Sequence, residues 1–197
     1  MAQTKVLADR IYAGEGIAAD AVRILAANIL LILCAHIAIP LPWTPVPITG
    51  QTFGILLVAV LLGSRRATIT LVMYLLEGMA GLPVFAPIGA PALARFLDPT
   101  AGYLFAYPPA AFVTGWFVER DAGVRFLRFA GTRLAGALLS GEALIFAGGC
   151  AWLAVGVGLG WSRALAAGLW PFLPGEIVKM LLIVGAVRGV DLARLGS

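Results

Sequence analysis

The first long apolar run, VRILAANILLILCAHIAI at 22–39, carries a single charge at its start and stops at Pro40. A membrane-crossing helix needs about 20 mostly apolar residues, with roughly 17–25 tolerated. Five further runs follow, at 52–62, 67–80, 101–117, 134–159 and 169–187. The second and third are short for a crossing and end at GSRR and GLP. A chain that is 61% hydrophobic and 12% charged holds more apolar surface than a soluble core of this size could cover. The expectation is an all-α integral membrane protein of six helices. A segment at 1–21 precedes one six-helix domain at 22–190, and a tail at 191–197 follows it. Residues 1–20 carry Lys5, Asp9, Arg10, Glu15 and Asp20 and do not read as a cleavable signal.

Basic residues alternate between the connections. Lys5, Arg10 and Arg23 lie at or before run one, and Arg65 and Arg66 separate runs two and three. Arg120, Arg125, Arg128 and Arg133 separate four and five, and Arg188 and Arg194 follow six. The other side holds Arg95 and Arg163. The positive-inside rule then puts both termini in the cytoplasm of a cell-membrane protein.

The opposite connections are irregular. Four of the twelve prolines fall at Pro40, Pro42, Pro45 and Pro47, a spacing that excludes a helix or a central strand. GLPVFAPIGAPALARFLDPTAGY at 81–103 and GWSRALAAGLWPFLPGE at 160–176 are likewise rich in breakers. Irregular backbone near membrane depth is tolerated where protein covers it or where it lines a cavity. Three such segments on one side predict an outer-face ligand pocket capped by loops.

Charges inside spans are costly, about 2.5–3.5 kcal/mol each on insertion scales. Glu176 and Lys179 stand three apart in PFLPGEIVK, on one helix face. They line the pocket, or they form an ion pair that fixes packing. Glu77 either meets the ligand or reaches the interface. Glu142, among small residues of run five, reads as a structural hydrogen-bonding group. His36 reads as a packing group, Asn28 as a bridge between helices, and Cys34 and Cys150 as inert buried thiols. Trp43, Phe53, Phe85, Tyr103, Tyr107, Trp152, Trp161, Trp170 and Phe172 form an interfacial belt, with some walling the site. No P-loop, GxGxxG after a strand, HExxH or GxSxG occurs, so the chain has no Walker site of its own.

Five stretches resemble the BioY family, biotin-specific substrate-binding (S) components of energy-coupling factor (ECF) vitamin transporters. IPLPWTPVPITGQTF is similar to the family's first loop, and LLEGMAGLPVFA to the end of its third helix. FLDPTAGYLFAY resembles its PTGGYLxGF entry to the fourth helix, GEALIFAGGCAWL its GxxxIYxxGxxWL, and PFLPGEIVK its PGDxxK motif. The resemblance covers about 22–190. It implies an S-component fold and a biotin site, not an enzyme. It also implies transport with a coupling transmembrane subunit and two ATPase subunits, with ATP hydrolysed there and no cofactor in this chain. It maps ligand-site roles onto Glu176 and Lys179, and brings Gln51, Thr49, Thr52 and Tyr103 near the site, with Trp43, Phe53, Tyr107 and Glu77 as further candidates. Glu176 stands where the family has Asp, and Ala101 and Ala106 where it has Gly. Ala27, Leu31 and Ala35 occupy the helix-one row that many S components use for docking. Another vitamin as ligand, an intramembrane enzyme built on Glu77 or Glu142, and a ligand-free scaffold are the alternatives.

Overall fold

The structure, a computed structural model, describes residues 16–121 and 126–195. Lys5, Arg10 and Arg125 of the orientation argument lie outside the described residues. Among the described residues the regular structure is helical apart from one short hairpin. In order come α1 (Ile17–His36), β1 (Ala38–Ile39), β2 (Ile48–Thr49), α2 (Gln51–Met79), a 3₁₀ segment (Ala92–Leu97), α3 (Ala101–Asp121), α4 (Phe126–Ala151), a π-helical turn (Trp152–Gly156), α5 (Trp161–Gly168) and α6 (Leu173–Leu195).

Helix α1 starts five residues before the expected span and ends three before it, because Ile37 turns the chain into extended backbone. Its buried residues are Ala19, Arg23, Ala27, Asn28, Leu31, Cys34 and Ala35, a stripe at helical spacing. The Ala27, Leu31 and Ala35 row therefore packs inside this chain. Leu25, Ile29 and Leu33 make the exposed row. The prolines sit in the loop between β1 and β2, whose ladder pairs Ala38 with Thr49 and Ile39 with Ile48. Both paired positions on each strand lie outside 40–47, so no ladder donor is lost to a proline.

Runs two and three belong to one element, α2, broken at Gly63 (φ 77°, ψ −178°). That backbone conformation suits glycine. The helix restarts at Ser64, whose N–H and hydroxyl both donate to the Glu119 carboxylate at 2.8 Å. Glu119 of α3 thus caps the second half of α2.

Among the described residues three helices are long and apolar enough to cross a membrane: Ile17–His36, Gln51–Met79 and Thr132–Gly156. The pair Trp161–Gly168 and Leu173–Gly189, bent by 49°, passes the same test as one broken span. Helix α3 falls short because tyrosines, glycines, Pro108 and Pro109 dilute its run and Glu119-Arg120-Asp121 close it. Helix α5 lies where the sequence reads as loop. A short amphipathic helix entered through Gly160 (φ 74°) is hidden by the breakers on either side.

Helices α3 and α4 meet backbone to backbone. A Cβ on Gly102 would run into the Trp152 Cβ and the Gly148 carbonyl, and a Cβ on Gly149 into the Tyr103 ring. This is small-residue packing of the kind membrane helices use. Gly102→Val is expected to cost about 2–3 kcal/mol through forced backbone shifts, lowering the detergent melting temperature by roughly 4–12 °C. An unchanged melt would refute the close approach.

Candidate functional site

One end of the bundle holds an open cavity of about 590 Å³, a volume that includes the solvent space at its mouth. The hairpin and the start of α2 supply Val46, Pro47, Thr49, Gln51 and Thr52. The 81–100 connection and α3 supply Phe85, Ala86, Arg95, Thr100, Tyr103, Leu104 and Tyr107. Helix α4 adds Ile145 and Phe146, and the α6 end adds Phe172 and Glu176. The walls are mostly apolar, with polar groups at separated points.

The first polar point joins the hairpin exit to α6. Lys179 Nζ donates to the Thr49 carbonyl at 2.6 Å, to Thr52 Oγ1 at 2.9 Å and to Glu176 Oε1 at 2.7 Å. Thr52 Oγ1 donates in turn to Glu176 Oε2 at 2.7 Å. Glu176 is buried and faces the cavity, whereas Lys179 stands behind it. The two alternatives for this pair are thus combined: an ion pair fixes the packing, and its acid forms wall. Close charge-assisted bonds of this kind are strong and directional.

The second point is Gln51, at the first turn of α2. Its Nε2 donates to Tyr74 OH at 2.7 Å. Its Oε1 accepts from Thr49 Oγ1 at 3.3 Å and, at the limit of 3.5 Å, from Tyr107 OH. An amide nitrogen carries two hydrogens, so one N–H of Gln51 remains for the cavity. Tyr103 donates to the Gly168 carbonyl at 2.6 Å, which presents its ring as wall.

The third point is Arg95. It lies on the 3₁₀ segment, 5% exposed. Its guanidinium donates to the carbonyls of Ile88 and, at 2.7 Å, Ala86. It also pairs with Asp98 at 3.4 Å and lies 5.8 Å from the Phe85 ring centre. Asp98 is itself held by the Thr100 N–H and hydroxyl at 2.7 and 2.6 Å. The connection is folded around its own cation, whose Nε has no partner among the described residues.

Of the expected site residues, the structure brings Thr49, Gln51, Tyr103, Tyr107 and Glu176 onto the wall, with Lys179 directly behind. Trp43 is 68% exposed and off the wall. Phe53 packs against the core cluster that contains Leu56, Leu138 and Ile183, away from the cavity wall. Glu77 accepts two hydrogen bonds from Asn28 Nδ2, at 2.9 and 2.7 Å, and so ties α2 to α1. Glu142, expected to hydrogen-bond structurally, has no partner on either oxygen among the described residues. His36 is exposed beside the Ile32 carbonyl at 2.8 Å, and both cysteines are free and buried. Arg95, Thr100, Leu104, Ile145 and Phe146 are wall residues that sequence reasoning missed. For Arg95 a signal existed: a lone cation on the sparsely basic side, within a Gly/Pro-rich connection.

The sequence profile of the BioY family matches residues 3–194. The chain belongs to the BioY family. Biotin transporter BioY of Rhizobium etli is 37% identical over 153 residues, 77% of this chain and 80% of that protein. Biotin transporter BioY of Thermotoga maritima is 34% identical over 168 residues, 84% of this chain and 90% of that protein. Among solved structures, the crystal structure of the S-component for biotin from an ECF-type ABC transporter superposes with a TM-score of 0.77 at 28% identity. It covers 90% of this chain and 95% of the solved one. BioY relatives are named as transporters, not enzymes, and the chain is a multi-pass membrane protein like them.

Proposed function

We propose that this chain captures biotin at the outer face of the cell membrane and serves as the ligand-binding subunit of an uptake system. The observation that carries the reading is the cavity's pattern, apolar walls with separated acid, amide and guanidinium groups. Biotin has matching parts: an apolar ring and tail, a ureido group that donates and accepts, and a terminal carboxylate. Glu176 and Gln51 suit the ureido end, and Arg95 suits the carboxylate. Lys179 positions Glu176 and Thr49, with all three of its donors used internally.

In this reading α2 supplies two of six crossings, the basic connections face the cytoplasm, and both termini lie there. The cavity then opens outward beneath the proline hairpin. Energy comes from a coupling transmembrane subunit and two ATPase subunits, and this chain holds no cofactor. Family membership and the missing nucleotide motif support that division.

Isothermal titration of the purified protein is the test. Biotin should bind in the nanomolar range, and thiamin and riboflavin should not compete. Gln51→Ala, which removes one neutral hydrogen-bond partner, should weaken binding by about 5- to 10-fold. Absence of biotin binding by a folded preparation would overturn the reading.

A further inference from the structure

Glu142 lies on α4 one turn below the wall residues Ile145 and Phe146, on the same helix face. Leu138, one turn further along that face, packs with Leu56 of α2 and Ile183 of α6. One turn up from those two partners are Thr52 and Lys179. Glu142 therefore sits directly beneath the Thr52, Glu176 and Lys179 cluster, between the cavity and the deeper core. It is 5% exposed, and neither carboxyl oxygen has a hydrogen-bond partner among the described residues.

The groups within electrostatic reach of it are Glu176 and Lys179 from α6 and Tyr107 from α3. At this level α2 brings the neutral Thr52 and Leu56. Lys179 is the cation nearest at hand, yet an ammonium has three donors. All three are used, on Thr49, Thr52 and Glu176. An ionised Glu142 would be a second carboxylate sharing one cation in an apolar setting, an arrangement of high cost. It would draw Lys179 off the Thr49 carbonyl and release the hairpin from α6.

We propose that Glu142 is a proton-binding site linked to ligand loading. The acid form keeps Lys179 on Thr49 and the pocket floor intact, and the ionised form loosens it. The step is simple in balance: one carboxylate oxygen takes one proton from the medium, and no other covalent bond changes. Ligand binding selects the intact floor, so it takes up a proton wherever Glu142 is partly ionised. The inference rests on the biotin reading for its ligand.

Biotin titrations from about pH 6 to about pH 9, in two buffers of different ionisation enthalpy, read both affinity and proton uptake. The wild type should take up one proton over part of the range, and affinity should fall by about tenfold per pH unit above the Glu142 titration. Glu142→Gln, a neutral isostere of the acid, should bind with no proton uptake from this site and a flat profile. On the wild type alone, the infrared band of a protonated carboxylic acid should disappear with the same midpoint as the affinity. A flat wild-type profile, an equal slope in Glu142→Gln, or an infrared midpoint apart from the affinity midpoint would overturn the proposal. Rescue of high-pH affinity by Na⁺ at fixed ionic strength would assign the site to a metal cation instead and also overturn it. Absence of wild-type binding at the acid end would instead sink the biotin reading.

Discussion

Lys179→Ala is expected to reduce biotin affinity by about 30-fold or more, equivalent to roughly 2–5 kcal/mol. The lysine does not face the cavity, so the loss comes through what it holds. Without it Glu176 is an unpaired buried carboxylate whose only remaining hydrogen-bond donor in this cluster is the Thr52 hydroxyl, and Thr49 loses its tie to α6. Removing one partner of a buried pair costs more than the pair contributes. Lys179→Met keeps the apolar stem and should show nearly the same loss, which separates charge from packing. Adding Glu176→Gln to Lys179→Met should recover part of the unliganded melting temperature, because the orphaned charge is gone. Calorimetry on folded protein decides the matter. An affinity for Lys179→Ala within about twofold of wild type would contradict the positioning role.

Arg95→Ala is the second large effect, about 1.5–3 kcal/mol or roughly 10- to 150-fold. The guanidinium does two jobs, binding the Ile88 and Ala86 carbonyls of its own connection and offering positive charge to the cavity. Lysine cannot reproduce the fork that spans two carbonyls, so Arg95→Lys should recover only part of the affinity. Biotin and its amide separate the two jobs. The substitution should penalise the acid more than the amide if Arg95 meets the carboxylate. Equal losses for both ligands would leave Arg95 as a loop anchor alone.

What the sequence disclosed tracks how local each signal is. Glu176 and Lys179 are three residues apart on one helix, so their shared face is readable without a fold. The proline run also announced itself, since its rigidity is a property of four nearby residues. Arg95 meets Glu176 and Gln51 across one cavity only because separate connections converge there. Ile145 and Phe146 look like any apolar pair in a span until packing turns them inward. Phe53 and Trp43 show the converse. Their neighbours in sequence line the site, but Phe53 points round α2 and Trp43 stands out at the hairpin tip. In the sequence the break at Gly63 reads as a loop between two spans because GSRR interrupts the apolar run. Glu119 reaches it from fifty-five residues away, a contact no local pattern encodes.

The glycine seam between α3 and α4 limits how this protein can move. With backbone against the Trp152 side chain at Gly102 and ring against backbone at Gly149, sliding one helix past the other by a single residue, about 1.5 Å, drives atoms into one another. Tight interfaces of this kind hold one register and do not deform by degrees. These two helices carry Tyr103, Leu104, Tyr107, Ile145 and Phe146, five of the sixteen residues of the cavity wall. They therefore travel as a single stiff slab, and a bound molecule must change its surroundings by shifts of the hairpin, α1 or α6 around that slab, or by reorientation of the whole bundle in the bilayer.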